Sequence, residues 1–139
     1  MASTLKINTL TGVTTAGSIA VTGEGNSTTT NLQQGLVKMW IRLDGTASGA
    51  SEHDSFNVTS TADNGTGDHT INIANDFSSI NYCAVGSTLG TTTGNYATTV
   101  MGHQQAYTAG AITFEVRNTV DDSLYDQNSV NVSAHGDLA

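Results

Sequence analysis

The chain has 139 residues, 37% of them hydrophobic and only 12% charged, and its twelve acids against four Lys and Arg leave a net charge of −8. That length accommodates one domain, or one compact domain with an extension. Four scattered cations, Lys6, Lys38, Arg42 and Arg117, are too few to neutralise a phosphate backbone, which argues against nucleic-acid binding. No apolar run approaches the roughly 20 residues needed to cross a bilayer, which argues against membrane insertion.

The opening residues Met1-Ala2-Ser3-Thr4-Leu5-Lys6 lack the apolar core of a secretory signal, so synthesis in the cytoplasm without secretion is expected. Residues 1–35 are dominated by Thr, Gly, Ser and Asn, with Leu5, Ile7, Leu10, Val13, Ile19 and Val21 as sparse apolar positions. Leu5/Ile7 and Ile19/Val21 alternate as strand residues do. The segment has too little apolar material for a core of its own. It reads either as a flexible linker or as an extended segment intertwined with other copies, and the paired apolar residues favour the second. The only helical candidate is short, over residues 32–39.

From residue 36 the hydrophobic period becomes two. Residues 38–43 set Met39, Ile41 and Leu43 against Lys38, Trp40 and Arg42. Residues 44–54 read as a Gly/Ser/Ala/Asp loop. Residues 55–60 and 69–74 flank Asp63-Asn64-Gly65-Thr66-Gly67-Asp68, a turn signal because Asn and Gly tolerate positive φ. This predicts a hairpin with Phe56, Val58, Ile71 and Ile73 on one face. Phe77 is expected to plug the end of the core. Residues 80–85 predict a short strand holding Cys83, the single cysteine, as an inert buried thiol that leaves no internal disulfide. Residues 86–95 read as a polar loop and 96–101 as a strand. Residues 110–118 alternate Ile112, Phe114 and Val116 inward with Thr113, Glu115 and Arg117 outward. After a turn at Val120-Asp121-Asp122-Ser123, Val130, Val132 and Ala134 close the sheet. The expected fold is all-β: a small antiparallel β-sandwich or open barrel of six to seven strands over residues 36–139, preceded by the N-terminal segment 1–35.

Catalytic and metal chemistry find little footing. His53, His69, His103 and His135 are never closer than 16 positions, whereas zinc sites use close ligand pairs. They read as surface or loop-end residues. Asp121, Asp122 and Asp126, and the pair Asp63 and Asp68, lack the fuller calcium-loop pattern and are explained as turn formers. Glu24, Glu52 and Glu115 are the only glutamates. Glu115, beside Arg117, reads as part of a solvated polar face and not as half of a glycosidase pair. No G-x-S-x-G elbow is present. The Asn-x-Ser/Thr sites at Asn26, Asn57, Asn64 and Asn131 match chance in a chain this rich in Asn, Ser and Thr. No enzyme, metal or cofactor is expected. Trp40, Tyr82, Tyr96 and Tyr107 offer flat amphipathic faces that could stack on a sugar. Trp40 suits a chain–chain contact better, since Trp is enriched at interfaces. Leu5, Ile7, Leu10, Ile19, Val21 and Trp40 are therefore the candidate oligomer or capsid interface.

The stretch Ala16-Gly17-Ser18-Ile19-Ala20-Val21-Thr22-Gly23-Glu24-Gly25-Asn26, continuing through residue 36, resembles short tail-fibre-like or knob-like virion surface proteins of marine tailed bacteriophages. So do Asp54-Ser55-Phe56-Asn57-Val58, the 63–68 turn and Val130-Asn131-Val132-Ser133-Ala134-His135-Gly136-Asp137. The similarity covers most of the chain, residues 86–105 being more individual, and its motifs are structural, not catalytic. The resemblance implies a homotrimer assembled in the host cytoplasm, with an attaching N-terminal segment and an outward β-domain. Its partner would be the major capsid protein, for a head decoration or knob, or a tail protein. In the tail reading, host surface polysaccharide is a further ligand, met through the loops at 45–52 and 86–95. The chain has room for neither a long shaft nor a dedicated tail-binding domain, which favours the head.

Overall fold

The computed structural model describes residues 4–14, 19–23, 25, 28–89 and 107–139, and residues 97–100 as backbone. They divide into two compact units, Met1–Leu36 and Val37–Ala139. In the first, β1 (Ala20–Thr22) runs antiparallel to β2 (Thr29–Asn31), with Val21 opposite Thr30. Asn31 then caps a single helical turn, α1 (Leu32–Gly35). Its Oδ1 accepts the amides of Gln33 at 2.8 Å and Gln34 at 3.2 Å, groups that a helix start otherwise leaves unpaired. No residue of this turn is buried. Leu5 and Ile7, expected in a strand, lie in none.

The second unit carries eight strands among the described residues. They are β3 (Met39–Asp44), β4 (Ser51–Phe56), β5 (Val58–Gly65), β6 (Asp68–Ile73), β7 (Cys83–Thr88), β8 (Ala97–Val100), β9 (Ala111–Asn118) and β10 (Val130–His135). They form two four-stranded antiparallel sheets, ordered β4-β3-β10-β7 and β5-β6-β9-β8. The all-β sandwich read from the sequence is what the structure shows, with one strand more than the expected six or seven. Each sheet turns one face inward. Met39, Ile41 and Leu43 of β3 and Val130, Val132 and Ala134 of β10 meet Ile71 and Ile73 of β6 and Ile112, Phe114 and Val116 of β9, all buried. Sheets bury alternate residues because successive side chains point to opposite faces.

The chain passes from the first sheet to the second through Asn57 alone, at φ 60°. This corner corrects the expected hairpin. Val58, Ile71 and Ile73 do share the inner face, but Phe56 ends β4 and is 52% exposed on the outside of the other sheet. The strand at 51–56 also replaces much of the expected loop at 44–54. It is an edge strand with polar residues on both faces, so it carries no alternation to read. The expected strand at 80–85 is shifted to 83–88, with Ala84 inward and Cys83 outward. Cys83 is therefore exposed, not buried.

Phe77 closes one end of the sandwich and is buried, its ring stacked 4.3 Å from that of Tyr82. The Tyr82 hydroxyl lies 3.1 Å from the carbonyl of Thr108 and 3.2 Å from that of Ala111. Burial, with Tyr107 adding to it, pushes its pKa up to about 12. Gly136 permits this close approach, since a Cβ there would stand 2.8 Å from Tyr82 Cβ.

Candidate binding surface

The two outer faces of the sandwich differ. On the second sheet, short polar side chains bind one another. The hydroxyls of Thr70 and Thr113 lie 3.0 Å apart, Asn64 Nδ2 donates to Thr70 Oγ1 at 2.9 Å, and Asn72 Nδ2 donates to Ser60 Oγ at 3.0 Å. Arg117 donates through Nε to Glu115 Oε2 at 2.8 Å and through Nη1 to the Asp122 carbonyl at 2.9 Å. These contacts and the nearby Asp122 carboxylate hold the guanidinium pKa above its usual value. Glu115 is thus buried in an ion pair, where a solvated carboxylate was expected. Its β9 position stands between Asp68 of β6 and Val100 of β8 in register.

The first sheet presents something else. Antiparallel register sets Trp40 of β3 between Phe56 of β4 and Ser133 of β10, with Val85 of β7 beyond Ser133. The next outward row is Asp54, Arg42, Asn131 and Ser87. Trp40 is 36%, Phe56 52% and Val85 53% exposed. Together Trp40, Arg42, Val85, Ser87, Asn131 and Ser133 line a groove of about 420 Å³. Arg42 Nε donates to Ser129 Oγ at 3.3 Å, and its two terminal nitrogens make no hydrogen bond or ion pair among the described residues. Of the sandwich's other cations, Lys38 is buried and Arg117 is ion-paired, so Arg42 is its one exposed cation without an ion pair among the described residues.

No family model, curated protein or solved structure matches the chain.

The residues predicted to form an interface are divided between the two units. Leu5, Ile7, Leu10 and Val21 are half or more exposed within the first unit, and Ile19 is half-buried. Trp40 belongs to the sandwich groove. Of the four aromatics offered as a sugar platform, the three described ones do not share one face. Tyr82 and Tyr107 meet edge to face at 5.7 Å at the end where Phe77 sits, away from Trp40's strand face, and Tyr96 lies outside the described residues. Among the described residues no group of three His, Cys, Asp or Glu side chains is placed to hold a metal. The loop acids accept backbone amides of turns, Asp63 and Asp121 in their own and Asp126 in the turn between β5 and β6. Asp63 accepts the Gly65 amide at 3.0 Å, Asp126 that of Gly67 at 2.6 Å, and Asp121 that of Ser123 at 3.1 Å. Hydrogen bonds from Ser123 hold the Asp121 carboxyl below its ordinary value. Glu52, on the exposed edge strand, accepts from the Ser55 hydroxyl at 2.6 Å. Glu24, Asn26 and His103 lie outside the described residues.

His69 overturns the expectation that every histidine sits at a surface or loop end. It is fully buried, with neither ring nitrogen hydrogen-bonded. Its ring lies 5.7 Å from that of Phe114, and Gly45 makes room for it, since a Cβ there would come within 2.7 Å of Nε2. Burial lowers its pKa, while Asp126, Asp63 and Asp68 pull the other way. The sequence carried the signal: His69 is in phase with Ile71 and Ile73 on the inward face of one strand.

Proposed function

We propose that this chain is a non-enzymatic structural protein of a bacteriophage virion surface, a head decoration or knob that works as a homotrimer. One observation carries the reading: the two units are finished to different degrees. The sandwich has a core that joins both sheets. The first unit leaves Leu5 77% exposed, with Ile7, Leu10, Val13 and Val21 also open to water. Completing the burial of each of those side chains would gain about 1–3 kcal/mol, so partners are what the segment lacks. Sister chains and a capsid or tail protein supply such partners in a virion. The acids support a non-catalytic role, because Glu115 is tied to Arg117, and Asp63, Asp121 and Asp126 to the amides of turns.

The test is to purify particles of the phage that encodes the chain and find this protein's density in images of them. The expected outcome is three copies grouped on the head, their N-terminal segments against the shell. Density on a tail appendage would move the assignment to the tail. Absence from intact particles would refute the proposal.

A further inference from the structure

We propose that the groove on the outer face of the β4-β3-β10-β7 sheet binds a saccharide bearing a carboxylate, with Trp40 as the stacking platform and Arg42 as the anion clamp. This goes beyond the assembly role, which rests on the first unit and needs nothing from this face. Sugar rings offer one apolar face of C–H groups and a rim of hydroxyls. A site for them therefore needs a flat amphipathic ring with hydrogen-bonding groups around it. The sheet register supplies that juxtaposition. Phe56, Trp40 and Val85 share one row, and Arg42, Asn131 and Ser87 form the next, one pleat along. Because both rows stand on paired strands, neither has to be ordered when ligand arrives. At about 420 Å³ the groove lies in the size range of small-ligand sites.

Charge picks the ligand class. In a chain of net charge −8, the sandwich's one exposed cation without an ion pair among the described residues stands beside its one tryptophan. The guanidinium fork matches a carboxylate in a paired, parallel arrangement that a neutral hydroxyl cannot reproduce. Asp54, the cross-strand neighbour of Arg42, instead accepts the amide of Ser55 at 2.9 Å. The side chains of Ser87, Asn131 and Ser133 make no hydrogen bond among the described residues, so their polar ends are available to hydroxyls. The opposite outer face shows the contrast, since there Thr70, Thr113, Asn64 and Asn72 are already bound to protein neighbours.

Trp40 is the only tryptophan in the chain, so its emission reports on this groove and nothing else. The experiment titrates the full chain with galacturonic-acid oligomers and with galactose oligomers of the same length, following that emission. A saturable shift is expected with the acidic oligomer, about tenfold weaker with the neutral one. Arg42→Gln should erase this difference while leaving the neutral response in place. Trp40→Ala, followed by calorimetry, should weaken both by about tenfold. Both side chains point outward, so thermal unfolding of each variant should match the parent. No saturable change with either oligomer overturns the proposal, and so does equal affinity for the two that Arg42→Gln does not alter. Emission that shifts with protein concentration alone, together with a lower sedimenting mass for Trp40→Ala, would also overturn it by making the face a contact between chains. None of these results bears on whether the protein is found in virions, so the two proposals fail separately.

Discussion

An imidazole with no hydrogen bond can remain inside an apolar core only in its neutral form, because burying the charged form unpaired costs several kcal/mol. His69 is such a ring, held between Phe114 and Gly45. Its folded pKa lies below 6.5 because burial outweighs the pull of Asp126, Asp63 and Asp68. Well above pH 6.5 the residue is neutral in both states and makes stability independent of pH. As pH falls below 6.5 the unfolded chain takes up the proton first, so stability drops until the folded pKa is reached. The slope there is at most about 1.4 kcal/mol per pH unit. Asp44 and Asp121 do not obscure this window. Hydrogen bonds from Thr46 and from Ser123 respectively hold their pKa values below 3.8, so their stabilising effect is lost only at lower pH. His69→Leu, which keeps an apolar side chain in the site, should flatten urea-unfolding stability between pH 6.5 and 5. An acid loss in that variant equal to the parent's would show that His69 is not its source.

At the scale of elements, the sandwich depends on a one-residue corner. Asn57 leaves the first sheet and enters the second at positive φ. Its Nδ2 donates to the carbonyls of Lys38 at 3.0 Å and Asn75 at 3.1 Å. Its Oδ1 accepts the Asn75 amide at 2.8 Å and Asn75 Nδ2 at 2.9 Å. One side chain thereby ties the lead into β3 to the end of β6. Asn57→Ala should cost about 3 kcal/mol in denaturant unfolding, part from the left-handed backbone and part from the lost bonds. Asn57→Gly should recover about 1 kcal/mol, the backbone share; no difference between the two would mean that the backbone carries none of the cost. The same corner explains what the sequence showed and what it hid. β3, β9 and β10 lie inside their sheets with one face buried, so Met39, Ile41 and Leu43, or Ile112, Phe114 and Val116, announce themselves by alternation. β4 is an edge with little to bury, and its Ser51-Glu52-His53-Asp54 reads as loop. Phe56 and Val58 look in phase two residues apart, yet a corner between them sends one outward and the other inward. The groove was half visible. Trp40 and Arg42 alternate outward in plain text, but Val85, Asn131 and Ser87 join them only through pairings that no local pattern encodes.

For the whole molecule, the question is whether the first unit's open apolar residues are enough to assemble it. Burying what Leu5, Ile7, Leu10 and Val21 still expose would supply about 3–7 kcal/mol per chain. Association costs about 4–15 kcal/mol in lost freedom, and side-chain ordering adds to that. The two are close, so the trimer should form with little to spare, and removing half of the apolar contribution should dissolve it. Leu5→Ser with Ile7→Ser is therefore expected to shift the full chain from trimer to monomer in sedimentation equilibrium at micromolar concentration. The sandwich's thermal midpoint should stay within a few degrees, because its core is built wholly from residues 39–134. Residues 37–139 alone should behave as the doubly substituted chain does. A parent that sediments as a monomer would remove the basis for reading these side chains as an interface. A truncated sandwich that still forms trimers would move that interface onto the β-domain, where Trp40 and Phe56 are two neighbouring exposed aromatics to test next.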